Sequence, residues 1–106
     1  MASLPQALAE AALNTATRLR EAAELTRTQA EGMRKQAEAT RAIATAERAE
    51  ASLNSNPTHA EPREHHARLL DEEARLHEAE AEVLEREADR LFSQARTAEL
   101  RVRALA

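Results

Sequence analysis

Histidines and carboxylates are the side chains of this sequence best suited to chemistry. There are four His and nineteen Asp and Glu, and no cysteine, so thiol and disulfide chemistry is absent. His59, His65 and His66 gather with Glu61 and Glu64 beside a run of turn-forming residues. His66, Glu73 and His77 share one helical face, with Glu73 and His77 at i, i+4 spacing. Imidazoles and carboxylates so spaced are potential metal ligands, and helix bundles build metal sites from them. The di-iron pattern, however, needs Glu-x-x-His on paired helices, and neither inner face carries it. No Ser-His-Asp order, phosphate loop or zinc spacing is present. Catalysis also needs groups converging in a concave pocket, and long alanine-lined rods offer little concavity. The expectation is a protein that is not an enzyme and needs no cofactor or metal. His59, His65 and His66 read as surface residues. His77 reads as a partly buried histidine satisfied by a neighbour, with a pH-sensitive role left open.

The cationic residues suggest a second chemistry, phosphate binding. Net charge is −4, which disfavours a generally basic nucleic-acid binder. Arg20, Arg27, Arg34, Arg41 and Arg48 form one candidate stripe, but glutamates alternate with them. Arg96, Arg101 and Arg103 form a small basic end, which the dipole of a helix C-terminus also favours. A small nucleic-acid-binding regulator using either set is the alternative reading.

Composition dictates the elements that position these groups. Ala, Glu, Lys, Leu and Arg supply 71 of 106 residues, a signature of long helices. One Gly, one Ile, two Val and one aromatic, Phe92, exclude β-rich and glycine-loop folds. Ser3-Leu4-Pro5-Gln6 reads as a capping box opening helix 1. Asn54-Ser55-Asn56-Pro57 is a run of turn formers, with Asn54 suited to a left-handed C-cap. Helix 2 could open on a Thr58-x-x-Glu61 capping box or with Pro62 at its first position, and because Pro62 disfavours helix at Glu61 the later start is expected. The spacing thus predicts helix 1 over about 4–53, a turn over about 54–61 and helix 2 over about 62–104. A connection this short makes the helices antiparallel neighbours within one domain spanning 1–106.

Alanine recurs every seven residues. Ala9, Ala16, Ala23, Ala30, Ala37, Ala44 and Ala51 occupy heptad position a, as do Ala67, Ala74, Ala81, Ala88, Ala95 and then Val102. Position d holds Ala12, Leu19, Thr26, Met33 and Thr40 in helix 1, and Leu70, His77, Leu84, Leu91, Ala98 and Leu105 in helix 2. The seven-residue period implies a left-handed supercoil, and alanine at a lets the backbones approach closely. Position e carries the five arginines in helix 1 and Glu64, Asp71, Glu78, Glu85, Phe92 and Glu99 in helix 2. In an antiparallel pair e faces e. One register sets Arg48 by Glu64, Arg41 by Asp71, Arg34 by Glu78 and Arg27 by Glu85. Sliding one heptad sets Arg48 by Asp71, Arg41 by Glu78, Arg34 by Glu85 and Arg20 by Glu99, with Arg27 near Phe92. Such exposed pairs are each worth up to about 1 kcal/mol and chiefly select register and partner.

Positions c and g leave a second apolar strip outside this seam: Leu25, Ile43 and Leu53 on helix 1, and Leu69, Leu76 and Val83 on helix 2. Gly32 falls in the same strip, where a glycine suggests close approach of another backbone. The fold class expected is all-α: a two-helix antiparallel coiled-coil hairpin with an alanine-rich seam, dimerising into a four-helix bundle. The expected function is assembly, as a spacer, adaptor, secretion-type carrier or component of a larger machine. Its partner would be a second copy or another helical protein, with no small-molecule substrate. No apolar run reaches the ~18 residues of a membrane span and no signal-peptide core follows Met1. The expected location is cytoplasmic, with signal-independent secretion left open.

Overall fold

The computed structural model describes residues 3–54 and 56–105. Two long helices, α1 (Leu4–Leu53) and α2 (Pro57–Leu105), pack against each other as a hairpin. Among the described residues there is no strand.

The start of α1 follows from side-chain capping. The Gln6 N–H donates to Ser3 Oγ at 3.3 Å, and the Ser3 N–H donates to Gln6 Oε1 at 3.0 Å. Two backbone donors that the helix itself cannot satisfy are thereby paired. At the other end the Asn54 N–H bonds the Ala51 carbonyl at 3.2 Å, an i−3 bond that tightens the last turn. The left-handed cap expected at Asn54 is absent, since no described non-glycine residue has positive φ. Asn54 instead accepts the Asn56 N–H on its side-chain Oδ1 at 3.1 Å, an Asx turn.

The start of α2 corrects the expected boundary. The helix begins at Pro57, not Pro62, so the connection is 54–56 rather than 54–61. Asn56 caps it: its Oδ1 accepts the Thr58 N–H at 3.0 Å, and its carbonyl accepts the N–H groups of His59 and Ala60, each at 3.0 Å. Pro57 then holds the first helical position, where its fixed φ suits the helix and its missing N–H is no loss. Pro62 lies inside the helix. There it forfeits the bond to the Thr58 carbonyl, yet the helix runs through it.

The chain divides into two compact units, residues 3–29 with 83–105 and residues 30–82. They are called here the terminal unit and the turn unit. In the turn unit, Ala30, Ala37, Ala44, Ala51, Ala67, Ala74 and Ala81 are all buried, together with Thr40. In the terminal unit, Ala16, Ala23, Ala88, Ala95 and Ala98 are buried. Every buried apolar side chain named by position is thus an alanine, and all but Ala98 hold position a. The larger d residues Leu19, Met33, Leu70, Leu84 and Leu91 are only half-buried. A pair of helices has one shared face, so a long side chain at its border covers the seam on one side and meets water on the other. Thr26 is tolerated at that border because its hydroxyl donates to the Ala22 carbonyl at 2.8 Å.

Candidate functional site: a charged edge and an exposed apolar face

The e positions meet along one edge of the hairpin. In the turn unit, Arg41 forms a two-pronged hydrogen-bonded ion pair with Glu78, and Arg48 pairs with Asp71. In the terminal unit, Arg20 pairs with Glu99, and the Arg27 guanidinium lies 4.5 Å from the centre of the Phe92 ring, a cation–π contact. These partners belong to the slid register, with Arg48 by Asp71 rather than Glu64. Glu64 is exposed. Arg34 and Glu85 are each engaged in interactions of their own.

The arginines tune the acids they touch. The hydrogen bond from Arg48 holds the Asp71 carboxyl below its ordinary value of 3.8, despite partial desolvation. The hydrogen bond from Arg20 likewise lowers Glu99 from its ordinary 4.5. A carboxyl whose pKa is depressed by folding adds stability above its unfolded pKa and loses it as pH falls through the folded value. Stability should therefore be level near neutral pH and decline below about pH 4. An Asp71→Asn, Glu99→Gln double variant should show a shallower decline in acid-titrated thermal melts. An identical acid limb in both proteins would mean that these surface pairs are too loosely held to matter.

Sequence reasoning missed Glu47. It sits three residues after Ala44, at a d position where a carboxylate is unexpected, and is half-buried. Two groups from α2 approach it, Arg63 Nη1 at 3.6 Å and His66 Nδ1 at 3.6 Å. Arg63 and His66 near the start of α2 thus lie close to an acid near the end of α1. A charge breaking the d row was the available signal.

His77 differs from its expected role. It is half-buried, and both ring nitrogens are buried without a hydrogen-bond partner. Glu73 Oε1 lies 3.6 Å from Nε2, beyond hydrogen-bond range. His59, His65 and His66 are exposed. Among the described residues no three His, Asp or Glu converge as a metal-binding group.

The opposite edge carries the strip expected to form an interface. All six residues are exposed in the single hairpin, from 49% at Leu69 to 83% at Leu53. Leu25 and Val83 lie in the terminal unit, and Ile43, Leu53, Leu69 and Leu76 in the turn unit. A side chain built at Gly32 would meet nothing within 4 Å, so among the described residues no neighbouring element approaches it closely. Leu4, Leu8, Leu13 and Leu100 are further exposed apolar residues, which the six-residue strip did not include.

The concavities are open depressions. One is lined by Thr58, Glu61, Pro62, Glu64, His65 and Arg68 at the start of α2. Another, lined by Arg20, Arg96, Glu99, Leu100 and Arg103, places an acid among the basic residues. No helix among the described residues is long and apolar enough to cross a membrane. Comparison with protein-family models, with curated proteins and with solved structures gives no match.

Proposed function

We propose that this chain is a non-enzymatic assembly module. It works as an antiparallel coiled-coil hairpin whose exposed c/g face docks on a second copy of itself to form a four-helix bundle. The observation that carries this reading is the exposure of Leu25, Ile43, Leu53, Leu69, Leu76 and Val83 in the single hairpin. Behind them the seam consists of alanine. Each alanine buried removes little apolar area from water, so most of the chain's larger apolar surface stays wet until another surface covers it. Pairing of helical hairpins is the common solution to that imbalance. Docking on a different helical protein through the same face is the variant of this reading, and the arginine and acid rows would then set register and partner choice. The arginine row supports nucleic-acid binding less well, because Arg20, Arg41 and Arg48 already engage acids on α2.

Light scattering coupled to size exclusion tests the proposal. The wild-type protein should elute at about twice the 11.7 kDa chain mass. Combining Ile43→Glu with Leu76→Glu should return it to the mass of one chain while helicity by circular dichroism stays largely intact. A wild-type monomer at micromolar concentration would refute self-association. A dimer unchanged by both substitutions would place the interface elsewhere.

A further inference from the structure

We infer that, given the self-association proposed above, the second copy docks end for end, so that the turn unit of one chain lies along the terminal unit of the other. The c and g positions that form the exposed apolar face also carry charge, and that charge is divided between the two units. In the turn unit those positions hold Glu50, Glu73 and Glu80, and no Lys or Arg. In the terminal unit they hold Arg18, Arg90 and Arg101, with Glu87 as the one acid. The three arginines and the three turn-unit acids are all exposed. Arg90 is engaged by Glu87, to which its Nε–H donates at 2.9 Å, so Arg18 and Arg101 supply most of the positive excess. The f positions bordering the face do not blur the division. Lys35 offsets Glu72 there in the turn unit, and Arg86 offsets Glu21 in the terminal unit. Taken whole, the turn unit has twelve acids against seven Lys and Arg, and the terminal unit seven against eight.

A two-fold dimer makes each contact twice, so its direction decides which charges meet. With both turns at one end, Glu50 and Glu73 would approach their own copies, and so would Arg18 and Arg101. Like charges brought together across a docking face oppose association. Turned end for end, the acidic half of each copy covers the basic half of the other. Glu73, eight residues from the middle of α2, then comes level with Arg90 of the second copy, nine residues beyond that middle. Glu50, three residues before the end of α1, reaches the level of Arg101, four residues before the end of α2. Glu80 sits beside the middle of α2 and nears its own copy in either direction, so Glu50 and Glu73 decide. The same arrangement brings Leu4 and Leu8, exposed c and g residues at the start of α1, beside Leu53 at its end in the second copy.

Dipolar distances between spin labels on α1, with mass by light scattering on the same samples, read the direction. Asn14→Cys marks the terminal unit and Ala49→Cys the turn unit, both at exposed f positions in a chain with no other cysteine. End for end, the two Ala49 labels of one dimer should stand about 60 Å apart. When differently labelled chains are refolded together, Asn14 of one copy should lie within about 30 Å of Ala49 of the other. A dimer with Ala49 labels within about 30 Å of each other overturns the end-for-end arrangement and leaves self-association standing. Labelled protein that keeps the mass of one chain overturns both. Charge reversal gives a second readout. Glu50→Arg with Glu73→Arg should raise the dimer dissociation constant roughly tenfold at low salt, and adding Arg18→Glu with Arg101→Glu to the same chain should recover most of the loss. A dissociation constant unchanged by the first pair, with helicity retained, overturns the arrangement as well.

Discussion

Replacing Ala81 with leucine is expected to lower the melting temperature by roughly 10 °C, corresponding to a loss of about 2 kcal/mol. Ala81 is fully buried in the alanine seam. Leucine and alanine are both good helix formers, so propensity contributes only tenths of a kcal/mol and the effect isolates packing. An isobutyl group cannot enter a layer sized for a methyl unless the helices part. Parting them strips van der Waals contact from Ala37, Ala44 and Ala74 as well, because a rigid helix cannot yield at one residue alone. The matched control is Ala79→Leu, two residues away and exposed, which should change stability by no more than about 0.5 kcal/mol. Thermal denaturation of the three proteins makes the comparison. A melting temperature that rises in the Ala81 variant would show room in the seam and remove the close-approach argument.

That seam was the most legible part of the molecule. A seven-residue alanine period requires only that one face be shared, and the helix puts those positions on one face whatever surrounds them. Hence Ala16 to Ala51 and Ala67 to Ala95 are buried as the pattern requires. The capping box at Ser3 was equally readable, because it is decided by four consecutive residues. The start of α2 was not. Thr58-x-x-Glu61 offers a capping box and Pro62 a first helical position, and the rule against helix before proline favoured the later start. The helix starts earlier, where Asn56 makes a cap in which both its side chain and its carbonyl accept, and it runs on through Pro62.

Register was legible only as a choice of two. Ion pairs alone do not separate them, since each offers the same number of arginine–acid contacts. The six strip residues were placed correctly as exposed in the single hairpin, because c and g positions cannot face a seam made by a and d. Glu47 and His77 were hardest to read, because a polar residue in an apolar row breaks the pattern without revealing its partner.

His77→Leu is expected to stabilise the protein by about 2 kcal/mol, raising the melting temperature by roughly 10 °C. Both imidazole nitrogens are buried with no hydrogen-bond partner, and the carboxylate of Glu73 stays 3.6 Å away. A buried donor or acceptor left unpaired costs about 1–3 kcal/mol relative to water, where it would be satisfied. Leucine removes that cost and fits the position, since Leu70, Leu84 and Leu91 occupy the same row of α2 and are likewise half-buried. His65→Leu, at an exposed site, controls for the general effect of added apolar surface. Equal stability of the two variants would mean that His77 is satisfied in solution.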